Sequence, residues 1–276
     1  MDRIRLIASD MDATLLDEQS QLPADFEETI HALAELGIRF APASGRPLYT
    51  LEAMFPTLQD ELVFIGDNGG AIRWKGQNLF TSEMSPEGWR ALNRLTREQG
   101  DIAVLCGLES AYVERPFAVH DAVLRHFYTK IEYVDRLEDV AAPADKFTIY
   151  LPQHNAQQAY DTVYASQRSI YSVAVAGECW VDIMNPGVHK GAALQTLGQL
   201  WGLPSESIMA FGDTYNDAEM LRTVRYGFLM ENGSEPLRQK VPFLAPSHRK
   251  AGVMQVLHRV LAQNGCVCPE DFIPAH

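Results

Sequence analysis

Short apolar runs alternate with segments of helical spacing along the first part of the chain, and that alternation constrains the fold most. Residues 4 to 9 (Ile-Arg-Leu-Ile-Ala-Ser) form the first run. Phe26, Ile30, Leu33 and Leu36 then recur at a helical period, and Gly37 follows where a helix would stop. A second strand is expected over Ile38 to Ala43, ending at Ser44-Gly45-Arg46-Pro47. A third spans Leu62 to Ile65 and ends at Gly66-Asp67-Asn68-Gly69-Gly70. Residues 71 to 81 read as a hairpin turning at Lys75-Gly76-Gln77. Strand, helix, strand, helix, strand in this order predicts an α/β fold: a parallel-sheet, Rossmann-like core with helices on both faces.

The middle of the chain changes character. Ser85-Pro86 opens a helix whose apolar face is Trp89, Leu92 and Leu95. Strands are expected at 102–106, 111–114, 146–151, 170–175 and 179–184, and helices at 118–128 and 155–167. This is an α+β insert of roughly 100 residues, the size of a small domain. It occupies residues 82–185, with Asn185-Pro186-Gly187 as the return hinge, so the core is 1–81 together with 186–276. The α/β pattern resumes with an amphipathic helix over 190–201, a strand from Ile208 to Phe211 ending at Gly212-Asp213, and a helix through Ala218 and Leu221.

Asp and Glu total 36 against 23 Lys and Arg, a formal net charge of −13. Such a balance repels nucleic acid and anionic membranes, so neither is an expected partner. A site for an anionic ligand must therefore be built locally, against the field of the whole molecule. No run approaches the ~20 apolar residues that span a membrane. The start, Met1 to Ile7, has neither the basic lead nor the small-residue cleavage site of a secretory signal. Cys106, Cys179, Cys266 and Cys268 are too scattered for a disulfide framework. Cys266-Val267-Cys268 reads as a loose tail with two reduced thiols rather than half of a metal site. The expected compartment is the cytoplasm, and nothing in the sequence sets an oligomeric state.

Four signatures fall where strands end or helices begin: Asp10-Met11-Asp12-Ala13-Thr14, Ser44-Gly45-Arg46, Lys190-Gly191, and Gly212-Asp213-Thr214-Tyr215-Asn216-Asp217. Ligands of open α/β sheets bind outside the carboxyl ends of the strands, where three of these signatures lie. Alternate residues of a strand point the same way, so Asp10 and Asp12 are expected to face one space. With Asp213 and Asp217 they make an all-oxygen cluster whose mutual repulsion needs a cation or a shared proton, and a hard ion such as Mg²⁺ suits it. The Ser44 hydroxyl, the backbone amide of Gly45 and the charge of Lys190 at a helix start suit a phosphoryl group. Each signature alone also fits a plain turn, cap or solvated charge. The four in this order argue for one site.

Together these motifs resemble those of the haloacid dehalogenase-like superfamily of phosphohydrolases, and more narrowly its Cof-type group, whose α+β cap is inserted late in the core. The family's Asp-x-Asp-Gly-Thr is here Asp10 to Thr14; its Ser or Thr, often followed by Gly-Arg-Pro, is Ser44 to Pro47. Its Lys-Gly is Lys190-Gly191, and its Gly-Asp-x-x-Asn-Asp is Gly212 to Asp217, with Met220 and Asn68-Gly69 also in pattern. The resemblance covers nearly the whole chain apart from its C-terminal tail. It implies a Mg²⁺-dependent phosphatase acting on a small phosphorylated metabolite such as a sugar phosphate.

By that resemblance Asp10 is the nucleophile that becomes an aspartyl phosphate, and Asp12 is general acid and then general base. Mg²⁺ would be held by the Asp10 carboxylate, the Asp12 carbonyl and Asp213, with Asp217 supporting those ligands. Ser44, Gly45, Lys190 and Asn216 would grip the phosphate. The cap would close over Asp10 and select the leaving group. Ala13 replaces the family's usual Gly, and at a positive φ an Ala there would cost about 1 kcal/mol. The same chemistry would serve a phosphotransferase or phosphomutase. A non-catalytic phosphometabolite-binding protein is the other alternative, against which the intact Asp10 and Asp12 argue. The histidines, Trp74 and Trp180 read as surface or packing residues, with substrate contact a minor alternative for His189, which adjoins Lys190. Asn232-Gly233 resembles a family loop near the site, without a catalytic role.

Overall fold

A computed structural model describes residues 1–276. The chain forms two units: Met1–Gly45 with Phe55–Leu79 and His189–His276, and Arg46–Met54 with Phe80–Val188.

The first unit is built on a nine-stranded sheet, in the order Ile273–Pro274, Phe243–Ala245, Tyr226–Met230, Ile208–Gly212, Leu6–Asp10, Arg39–Ala43, Val63–Gly66, Ala71–Trp74, Gln77–Thr81. The strands from Phe243–Ala245 through Val63–Gly66 pair in parallel. Leu6–Asp10 lies at the centre and is buried along its whole length, as an apolar run covered on both faces must be. The chain leaves this strand towards Arg39–Ala43 on one side and returns on the other at Ile208–Gly212. The reversal of strand order therefore falls between Leu6–Asp10 and Ile208–Gly212, the place where open α/β sheets bind their ligands.

The helix Phe26–Glu35 buries Phe26, Ile30 and Leu33, the spacing read from the sequence. Beyond Leu221 the unit gains elements that the sequence pattern did not reveal: strands Tyr226–Met230 and Phe243–Ala245, and a helix Gly252–Ala262. The tail is not loose. Cys266 and Val267 pair antiparallel with Arg3 and Asp2. Phe272 packs edge-on against Phe228 and Tyr226, with ring centroids 5.0 and 5.8 Å apart. One buried aromatic ring anchors an end whose polar residues carried no periodic signal.

The second unit has a six-stranded sheet, in the order Ser172–Val175, Trp180–Met184, Ala144–Tyr150, Ile102–Gly107, Ala111–Glu114, Ile131–Val134. Period-two alternation divides its side chains. Leu105, Phe147, Ile149 and Val181 join Trp89 and Leu92 of the helix Pro86–Gln99 in one core. Val104, Cys106, Val113, Tyr150 and Trp180 form the other, with Leu124 and Tyr128. Burial of Leu105, Phe147 and Ile149 contributes about 1.5–3 kcal/mol each. Ser85 caps the Pro86–Gln99 helix by accepting a hydrogen bond from the Gly88 amide at 3.1 Å.

Three details differ from the sequence pattern. The helix read over 155–167 stops at Asp161, because Thr162 turns its hydroxyl back onto the Gln158 carbonyl at 2.7 Å and is followed by a second β-branched residue. The helix read over 118–128 is a 3₁₀ turn, Arg115–His120, followed by Asp121–Phe127. Arg46–Met54 falls with the second unit: Tyr49 is buried among Val104, Val113 and Trp180, and the Thr129 amide donates to the Thr50 hydroxyl at 3.1 Å. At the return of the chain, Asn185 Nδ2 donates to the carbonyls of Ser82 and Glu83, 3.2 and 2.9 Å away. No helix is long and apolar enough to cross a membrane.

Candidate active site

The strand Leu6–Asp10 ends at its own last residue. Asp10 leaves the pleat with φ −59° and ψ 160°, and Met11–Leu15 winds into a turn in which Ala13 is left-handed, φ 59° and ψ 11°. The strand's period of two therefore ends at Asp10, and the turn sets the direction of Asp12. Asp12 is exposed on the turn, while the Asp10 carboxyl is buried. Ala13 occupies the conformation in which a Cβ is costly, about 1–2 kcal/mol.

Asp10, Asp213 and Asp217 present carboxylate oxygens within 4.8 Å of one another. Asp213 follows the strand Ile208–Gly212 directly, and Asp217 closes the short 3₁₀ turn Tyr215–Asp217. Oδ2 of Asp217 accepts from the amides of Asp213 and Thr214 at 3.0 and 3.2 Å, which fixes the loop. Asp12 stands outside this group, so the side chains that gather are Asp10, Asp213 and Asp217.

Lys190 lies at the first turn of the helix Lys190–Trp201, with its side chain fully buried. Its Nζ donates to Asp10 Oδ1 at 2.5 Å and to Asp217 Oδ1 at 2.7 Å. Gly191 lets this helix approach the next: a Cβ there would stand 2.7 Å from the Glu219 carbonyl carbon. His189, half-buried, has a structural role at the start of this helix. Its Nδ1 accepts from the Ala192 amide at 3.1 Å and caps the helix.

The charges are unbalanced. Burial pushes the Asp10 carboxyl up to about 7; the Lys190 ammonium opposes the shift and the Asp217 and Asp213 charges add to it. Burial and the Asp217 charge likewise raise Asp213 to about 6, against Lys190. Burial disfavours the Lys190 ammonium, but Asp10 and Asp217 outweigh it and hold the group charged. Three carboxylates share one ammonium, and oxygen is the only donor type. That composition fits a hard divalent cation such as Mg²⁺.

Ser44 is buried just past the strand Arg39–Ala43. Its amide donates to the Ile65 carbonyl and its carbonyl accepts from the Asn68 amide, both at 2.9 Å. Asn68 is left-handed, φ 53°, and its side-chain amide lies over Gly45, about where a Cβ would be 3.1 Å from Nδ2. Asn216 is exposed and donates to Asn68 Oδ1 at 3.3 Å, while accepting from the Thr214 hydroxyl at 2.6 Å. Asn68 thus links the Ser44 and Asn216 segments. Its only sequence signal was the Asn-Gly pair, which marks a turn as readily as a site.

The profile of the haloacid dehalogenase-like hydrolases matches residues 7–257. The chain is 32% identical over 262 residues to 5-amino-6-(5-phospho-D-ribitylamino)uracil phosphatase YbjI of Escherichia coli, covering 94% of this chain and 96% of that one. It is 31% identical over 249 residues to HMP-PP phosphatase of Cronobacter sakazakii, covering 87% and 89%. The crystal structure of SMU.1108c from Streptococcus mutans superposes with a TM-score of 0.83 at 28% identity, over 94% of this chain and 99% of that one. The chain belongs to the haloacid dehalogenase-like hydrolases, and within them it is an enzyme of the phosphatase group.

Proposed function

We propose that the protein hydrolyses the phosphomonoester of a small metabolite, with Mg²⁺ as cofactor and an aspartyl phosphate on Asp10 as intermediate. The observation that carries this reading is the gathering of Asp10, Asp213 and Asp217 around the buried Lys190 ammonium at the strand-order reversal.

Asp10 attacks phosphorus in line, and the ester P–O bond breaks as the new one forms. Asp12, exposed on the turn that follows Asp10, gives a proton to the departing oxygen. Asp12 then takes a proton from the water that attacks the acyl phosphate, releasing inorganic phosphate and restoring the Asp10 carboxylate. Lys190, Ser44, the Gly45 amide and Asn216 bind the phosphoryl oxygens. The ammonium also favours the ionised form of Asp10 that the attack requires. Mg²⁺, held by Asp10, the Asp12 carbonyl and Asp213 with Asp217 in support, would neutralise charge on the phosphoryl group. The inserted domain, residues 82–185 as read from the sequence and the larger part of the second unit, chooses the leaving group.

The names of the two relatives support a small phosphorylated metabolite as substrate. The test is phosphate release with and without Mg²⁺ from those two named compounds, a set of sugar phosphates and p-nitrophenyl phosphate. Mg²⁺-dependent release from at least one is the result expected. No release from any would overturn the reading, and passage of phosphate to a second sugar in place of release would favour a phosphotransferase.

A further inference from the structure

The turn after the nucleophile strand is held from a distant loop. The Ala13 carbonyl accepts from Asn232 Nδ2 at 2.9 Å. At its other end Asn232 Oδ1 accepts from the His248 amide at 3.1 Å. The same loop reaches Asp213. The Ser234 amide donates to the Asp213 carbonyl at 2.7 Å, and a Cβ on Gly233 would stand 2.8 Å from that oxygen. Glu231 anchors the loop by accepting from the Ser247 amide and Lys250 Nζ at 3.3 and 3.1 Å. Residues 231–234 thus grip both the Ala13 turn and the Asp213 backbone.

We propose that Asn232 is a positioning residue for the phosphatase reaction, holding Ala13 left-handed and thereby aiming the Asp12 carbonyl. The inference rests on the phosphatase reading. Ala13 is the strained point of the turn, at φ 59°. If the Ala13 carbonyl is released, the residue relaxes to ordinary φ most directly by rotation of the peptide between residues 12 and 13. That peptide carries the Asp12 carbonyl, the oxygen assigned to Mg²⁺, and the rotation turns it away. A side-chain amide suits this role because it donates to one backbone carbonyl while accepting from one backbone amide. Asp and Ser at this position lose one or both of those bonds. Asn232 is exposed, so its replacement leaves the buried core intact.

The test compares wild type, Asn232→Asp, Ala13→Gly and the double variant. The aspartate keeps the acceptor for the His248 amide and lacks the donor for the Ala13 carbonyl. Calorimetric titration with Mg²⁺ alone should show about tenfold weaker binding for Asn232→Asp. At saturating Mg²⁺, kcat for p-nitrophenyl phosphate should fall about 100-fold while KM changes by less than about threefold. In the Ala13→Gly background the left-handed turn needs no restraint, and both losses should shrink to about threefold or less. Asn232→Ser provides the same comparison if the aspartate variant does not fold. Equal losses in both backgrounds, or unchanged Mg²⁺ binding in Asn232→Asp, would overturn the proposal. If wild type releases no phosphate, the phosphatase reading fails, and the Mg²⁺ titrations of the four proteins still decide whether Asn232 acts through Ala13.

Discussion

Lys190 Nζ stands 2.7 Å from Asp217 Oδ1, with both side chains wholly out of water. Such a pair is costly to halve, because the partner left behind is a buried charge. Asp217→Asn keeps the volume, removes that charge and turns an amide donor towards the Asp213 and Thr214 amides. Urea unfolding should show a loss of about 3–5 kcal/mol. A loss below about 1 kcal/mol would mean that Asp10 alone satisfies the ammonium.

On the proposed mechanism Asp10→Asn removes the nucleophile and should cut turnover by about 10⁴-fold or more. No phosphorylated protein should be trapped by acid quench. Stability should fall less than in Asp217→Asn, since burial raises the Asp10 carboxyl and Asp217 still pairs with the ammonium. A variant that keeps a tenth of the activity would contradict covalent catalysis.

On the proposed mechanism Asp12→Asn should slow both half-reactions, but an activated leaving group departs with little acid help. The defect should therefore be smaller for p-nitrophenyl phosphate than for an alkyl phosphate. Equal defects on the two esters would count against proton donation by Asp12.

The raised carboxyl of Asp213 links stability to pH. The folded protein binds this proton up to about 6, the unfolded chain only to about 3.8. Between those values the folded state holds the extra proton, so this group's contribution falls as pH rises and is level above about 6. The full span is at most about 3 kcal/mol. In metal-free buffer, Asp213→Asn should gain on wild type across that window and hold its advantage above it. Mg²⁺ should then restore wild type and leave the variant unchanged. Parallel stability curves for the two proteins would refute the assignment.

The core was legible because its strands are apolar runs that end at chemistry-bearing residues. Asp10, Ser44 and Asp213 each follow or close such a run, and Lys190 opens a helix of clear period. The turn after Asp10 was not legible from local pattern, because it depends on the left-handed Ala13, and an alanine carries no propensity for positive φ. The cap formed by His189 was not legible either, since a histidine is not among the usual cap residues, yet its Nδ1 accepts from the Ala192 amide. The C-terminal elements lay beyond local pattern as well. Tyr226, Phe228, Phe243 and Phe272 matter through one another, and rings that meet only in the folded chain leave no spacing to read.

Tyr49 and Thr50 also decide what can be moved between proteins of this design. A specificity exchange that transplants residues 80–188 as a cassette would leave Tyr49 of the host facing the Val104, Val113 and Trp180 positions of a foreign core. The donor's counterpart of the Thr50–Thr129 hydrogen bond would be broken at the same stroke. The transplantable piece is therefore discontinuous, 46–54 together with 80–188, and its first part begins two residues after Ser44. A chimera with both parts keeps that core whole, whereas one with only the longer part inherits a mismatched aromatic at its centre, and any altered substrate ranking it shows would report that mismatch as much as the new pocket.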